Sequence, residues 1–217
     1  MEIVSTGPAA VLPAPHDLSA PEEVMNARQF ALGFVLTAVC GVAVAHPGHI
    51  GGSLFAGFAH PLSGLDHMLS MLAVGAFAAQ QPGRAGRLLP AVFLLAMLAG
   101  AAAASVGLGL PWIEQGIAAS MIVLGLLLAR AAPVPVPAVA VAALVAGIAV
   151  LHGHAHYLEM GHQSVLGYAL GFVAAAAGIQ WAGHGLARWL PHSYLGRRMK
   201  RVLGGVVATV GALLLAG

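Results

Sequence analysis

Six apolar stretches, each near the length needed to cross a bilayer, decide what this chain can fold into. They run from about Gly51 to Gln80, Leu88 to Val106, Ile113 to Ala129, Val136 to Leu151, Ser164 to Leu186 and Val202 to Gly217. A hydrocarbon core of roughly 30 Å takes about 20 helical residues. A chain that is 59% hydrophobic and 7% charged, with a mean hydropathy of +0.90, does not describe a soluble core. The runs are rich in Ala, Leu, Gly and Val and lack the alternation of a transmembrane strand, so the expected fold class is all-α, a polytopic bundle of six transmembrane helices. Small-residue tracts such as LAGAAAASVGLG and GYALGFVAAAAG indicate close helix packing.

The segment ahead of these runs is of a different kind. Residues 1–24, rich in Pro, Ala, Ser and acid, read as a disordered extension or as sequence upstream of a start at Met25. Residues 25–45 have a basic start at Arg28, an apolar centre and the small-residue ending Ala43-Val44-Ala45, the pattern of a signal peptide cut after Ala45. The alternative is an uncleaved extra helix. Cleavage leaves a six-helix domain over 46–217 and removes Cys40, the sole cysteine, which with Val39 before it is a poor lipoprotein acceptor. Thiolate metal sites and disulfides are then excluded.

A translocated start also organises the charges. Arg84, Arg87, Arg130, Arg188, Arg197, Arg198, Lys200 and Arg201 all fall on the inner side, and the outer loops contain no Lys or Arg, as the positive-inside rule requires. Three acids remain in the processed chain, Asp66, Glu114 and Glu159. His46 and His49 begin it outside, Glu114 opens the third helix from outside, and His152, His154, His156, Glu159 and His162 lie at the outer end of the fourth. His60, Asp66 and His67 carry that polarity inward along the first apolar run. An Asp at a helix centre costs about 2.5–3.5 kcal/mol, so Asp66 should face the bundle and have a partner.

Spacing narrows the chemistry. His60 and His67 share a helix face but stand about 10 Å apart on a regular helix, too far for one coordination shell. They are either successive stations or brought together by a break, for which Pro61 and Gly64 are suited. Met71, four residues after His67, could add a thioether. His152, His156 and Glu159 form one stripe if their helix persists that far, with His154 pointing elsewhere. Imidazole and carboxylate without thiolate suit a divalent ion such as Ni, Co, Zn or Mn. His184 and His192, near the inner basic loop, read as hydrogen-bond donors or solvent-exposed groups.

The chain starting His-x-Gly-His after processing, then GFAHPLSGLDHMLSMLAVG, WIEQGIAAS, HGHAHYLEM and GYALGF, resembles the HupE/UreJ family of nickel permeases over nearly all of Ala45 to Gly217. The resemblance implies a bacterial inner-membrane protein with a periplasmic mature N-terminus that admits Ni(II), or Co(II), for hydrogenase or urease assembly. By similarity, His60, Asp66 and His67 match the family's motif on the first helix, and Glu114, His152, His156 and Glu159 its other polar positions. Two positions depart from the family pattern: Tyr157 stands where Gly is expected and Gln180 where His is expected.

With no Walker-type phosphate loop in the sequence, the expected mechanism is secondary or facilitated transport. The metal is then the transported substrate, with no permanently bound cofactor and with the bilayer and the metal ion, not nucleic acid, as partners. The outer His/Glu cluster would capture the ion and pass it to His60, Asp66 and His67. The competing reading is an intramembrane zinc-dependent hydrolase built on Ser63, Asp66, His67, His152 and His156, which needs a tightly held ion and an activated water.

Overall fold

A computed structural model of the chain describes residues 50–133, 136–190 and 193–217. The expected signal peptide over 25–45, Cys40, and the candidate ligands His46 and His49 lie outside the described residues, as does His192. Those described form seven α-helices and no strand: α1 Ile50–Ser63, α2 Leu65–Ala78, α3 Gly83–Ser105, α4 Ile113–Ala129, α5 Ala138–Glu159, α6 Val165–Trp189 and α7 Tyr194–Ala216. Four of them, α3, α5, α6 and α7, are long and apolar enough to cross a membrane, while α2 and α4 are shorter apolar helices. Only 22–44% of each long span is buried against the rest of the chain. The outward faces carry Leu95, Leu126, Val139, Leu170 and Leu213, all exposed, as a lipid-facing surface requires and an aqueous one does not tolerate.

Two boundaries differ from the sequence reading, and the break it left open in the first run is present. The first apolar run is two helices, broken at Gly64, whose backbone is extended (φ −96°, ψ 115°). Pro61 in the last turn of α1 lacks an amide hydrogen, and α2 restarts with the Met68 amide donating to the Gly64 carbonyl at 2.9 Å. The fourth helix does not end near Leu151 but runs on to Glu159, and Gly161, at φ +63°, follows its end. The last helix begins at Tyr194, with Ser193 accepting the Gly196 amide at its start, so the stretch read as a basic loop is its first two turns. In the last two cases polarity does not mark a helix end, and the helix continues past the apolar segment.

Glycines set the helix pairs. A Cβ on Gly57 or Gly171 would collide with the backbone of Tyr168 or Leu54, and one on Gly75 or Gly183 with that of Gln180 or Leu72, so both α1 and α2 lie directly on α6. Gly100 and Gly153 do the same for α3 and α5, and Gly125 and Gly204 for α4 and α7. The short helix α2 is the hub, touching α1, α3, α4, α6 and α7. Its Met71, Val74 and Phe77 meet Phe93, Met121, Leu124, Leu128, Val145 and Phe172 in one apolar core. The break at Gly64 therefore sits at the top of that core.

Candidate metal centre

The break turns two histidines of one sequence segment toward a single partner on another helix. His60, in the last turn of α1, has its ring centroid 5.0 Å from that of His156 on α5, and His67, in the first turn of α2, lies 4.1 Å from the same ring. Gly64 makes this possible, since a Cβ there would sit 2.9 Å from His67 Cδ2 and 3.1 Å from Asp66 Oδ1. The two side chains fold back over the glycine.

Because α5 stays helical to its end, His152, His156 and Glu159 do share one face. Glu159 Oε2 accepts from His60 Nε2 at 2.9 Å and from His156 Nδ1 at 3.1 Å. Ligand atoms of His60, His156 and Glu159 lie within 4.8 Å of one another. Separations near 3 Å match the edge of a coordination polyhedron with bonds of about 2.1 Å, so an ion could replace the two protons with little movement of the carboxylate. His156 is buried, His60 is partly open and Glu159 is exposed, which gives the centre one wet side and one dry side.

Behind this set lie the other ionisable groups. Asp66 Oδ2 stands 3.6 Å from Nε2 of His67, beyond hydrogen-bond distance. His152, fully buried, has its ring 5.5 Å from that of His67 and 5.9 Å from that of Phe93. Thus His60, Asp66, His67, His152, His156 and Glu159 come together. Three other candidates do not join them. His154 turns away and donates through Nε2 to the Leu108 carbonyl at 2.7 Å, tying α5 to the α3–α4 loop. Met71 is fully buried in the apolar core one turn past His67, and Glu114 is exposed in the first turn of α4. Ser63 donates to the His60 carbonyl at 2.7 Å, so its hydroxyl serves the end of α1.

Several site residues were not singled out from the sequence. Phe172 packs on His156 at 4.3 Å and Tyr168 tilts against His60 at 5.8 Å, forming an aromatic wall from α6. Their four-residue spacing within GYALGF is the signal that marks one face. Ser53, fully buried on α1, donates to Gln163 Oε1 at 2.9 Å and accepts the Ser164 amide at 2.8 Å, which clamps α1 to the α5–α6 loop beside Glu159. A contact spanning 110 positions leaves no local trace in sequence. Tyr157, which the sequence does single out as a departure from the family pattern, lines an apolar cleft between α3, α5 and α6, with His156 and Met97 among its walls.

The family model described as HupE / UreJ protein matches residues 26–214. The chain belongs to the HupE/UreJ family. It is 43% identical over 179 residues to Protein HupE of Rhizobium leguminosarum bv. viciae, covering 81% of this chain and 91% of that one. No solved structure matches it. The HupE/UreJ proteins are metal transporters and not enzymes, and the apolar helices agree with a multi-pass membrane protein, so the hydrolase reading is set aside.

Proposed function

We propose that this chain carries divalent nickel, or cobalt, inward across the bacterial cytoplasmic membrane by a secondary or facilitated route, supplying hydrogenase or urease maturation. In this reading α1 and α2 together make the first of six spans, and α3 to α7 the other five. The observation that carries it is the convergence of His60 on α1 and His156 on α5, 96 positions apart in sequence, upon one oxygen of Glu159. Imidazoles with a single carboxylate hold a borderline divalent ion without the soft thiolates that would retain it, and a transported ion must bind well enough to shed water yet leave again.

The polarity of the bundle supports the direction. Glu159 ends α5, Tyr168 is near the start of α6 and Glu114 opens α4, whereas Arg84, Arg87, Arg130, Arg188 and the basic residues of α7 sit at the opposite ends of their helices. With the basic ends cytoplasmic, the metal centre faces the periplasm, as does a mature N-terminus beginning at His46. Asp66 would hold the His67 ring in place and offset part of the ion's charge where water is scarce.

Uptake of radioactive nickel by a strain lacking its own importer tests this. Glu159→Gln keeps the shape but removes the charge and should raise the half-saturating nickel concentration by about 10- to 100-fold. Unchanged uptake at limiting nickel, with the protein present in the membrane at normal level, would overturn the reading.

A further inference from the structure

The end of the bundle away from the candidate metal centre carries cations with no acid to match them. Among the described residues the acids are Asp66, Glu114 and Glu159, which begin α2, begin α4 and end α5, all at the metal-centre end. The opposite end holds Arg84, Arg87, Arg130, Arg188, Arg197, Arg198, Lys200 and Arg201. The last four are the densest group, and because α7 starts at Tyr194 they are fixed on a helix and not spread along a loop. Arg197, Arg198 and Arg201 are exposed and one turn apart or less, and like charges at such spacings repel. The first turn of α7 contains no acid, so the positive end of its macrodipole meets Arg197 where a carboxylate would be favoured.

Lys200 is an independent sign of a missing counter-charge. It is only 9% exposed and lies on the face of α7 that packs on α4, since a Cβ on Gly204, one turn further on, would collide with the backbone of Gly125 and Ala129. Ala129 is the last residue of α4, which puts Lys200 at the level of Arg130 and the loop after it. The ion pairs of His60, His67 and His156 do not involve it. A buried cation without a counter-charge is costly, and a lysine stem leans toward the start of its helix, which carries the ammonium to the basic rim. Trp189 at the end of α6 and Tyr194 at the start of α7 are both exposed, and such aromatics favour the membrane–water boundary. The rim therefore lies at the depth of lipid headgroups.

We propose that the first two turns of α7, with Arg130 beside them, form a docking site for the phosphate of an anionic phospholipid of the cytoplasmic leaflet. The phosphate would take the guanidinium groups of Arg198 and Arg201, the Lys200 ammonium, and the first amides of α7, which have no acceptor within the helix. Charge complementarity selects the lipid class: a zwitterionic headgroup brings its own ammonium among these cations, whereas phosphatidylglycerol brings negative charge alone. Such a site differs from the bias that sets orientation, which counts every inner arginine alike.

Native mass spectrometry of the full chain released from maltoside micelles tests this, with phosphatidylglycerol and phosphatidylcholine of the same acyl chains as probes and inorganic phosphate as competitor. Phosphatidylglycerol should bind at least about tenfold more tightly than phosphatidylcholine, and excess phosphate should not displace it. Arg198→Gln, Lys200→Gln and Arg201→Gln together should abolish the preference, at about fivefold for each charge removed. Arg84→Gln with Arg87→Gln, on the same side at the start of α3, should change the affinity less than about twofold. Equal binding of the two lipids by the parent chain overturns the site without recourse to any variant, and so does displacement by phosphate, which would make it a pocket for a soluble anion. A preference that survives the triple variant, or that the α3 pair weakens as much, also overturns it. None of these outcomes involves nickel, so the transport reading stands or falls separately.

Discussion

The two arms of the proposed metal centre have the same spacing in sequence and opposite behaviour in the fold. On α5, His152 and Glu159 are seven residues apart on an unbroken helix and span about 10 Å from dry core to wet surface. Across α1 and α2, His60 and His67 are also seven apart, yet both rings sit within 5.0 Å of His156. The difference is one glycine. A continuous helix turns a seven-residue repeat into a ladder, and a break at Gly64 turns it into a clamp that closes on the middle rung. Depth is thus supplied by α5 and convergence by the broken first run.

Closing the break should have the largest effect. Gly64→Val puts a Cβ against Asp66 and His67 and is expected to abolish nickel uptake, whereas Gly147→Ala on α5, where an added Cβ meets nothing within 4 Å, should leave uptake at the parent level. Equal uptake by both variants would remove the distinction between the arms. A smaller loss is expected from Asp66→Asn, which leaves the clamp closed but takes the carboxylate from His67: uptake at limiting nickel should fall about 10- to 100-fold with membrane abundance unchanged. Loss of the folded protein instead would assign Asp66 to the structure of the break.

Smaller still is the effect expected of the processed N-terminus. Terminal sequencing of membrane-purified protein should begin at His46, and an intact Met1 or Met25 would add a helix. Replacing His46 and His49 by Ala should raise the half-saturating nickel concentration and spare the maximal rate. Pro47 lacks an amide hydrogen, so its nitrogen cannot join a tight amino-terminal chelate, and the pair can only collect metal loosely. Least of all, Gly147→Ala should raise the unfolding midpoint slightly, by the fraction of a kcal/mol to about 1 kcal/mol that Ala gains over Gly in a helix, as a thermal melt in detergent would show.

What could be read in the sequence follows from the range over which each feature acts. Apolar runs reveal the parts of helices that face lipid, so the helices were legible while their ends were not. His152 to Glu159 looked like a loop because it is polar, although Ala155 and the absence of Pro let the helix continue, and the arginines of α7 hid its first turns in the same way. The face of α5 was legible, since His154 falls roughly opposite His152 and His156 on a helix, and it does leave the cluster for Leu108. For His60 and His67, Pro61 and Gly64 allowed a break without requiring one. The pairing of His60 with Glu159, 99 positions away, and the clamp from Ser53 to Gln163 depend on how helices stack, which the small-residue tracts permit in many registers.

The central claim is that two imidazoles and one carboxylate, brought together by the break, take the ion first. Nickel K-edge X-ray absorption on the purified chain carrying His46→Ala and His49→Ala, loaded with one equivalent of nickel, addresses it directly. The expected spectrum shows the multiple scattering of two imidazoles beside oxygen ligands, and His60→Ala should reduce it to one. An imidazole count that does not change when His60 is removed would contradict the account.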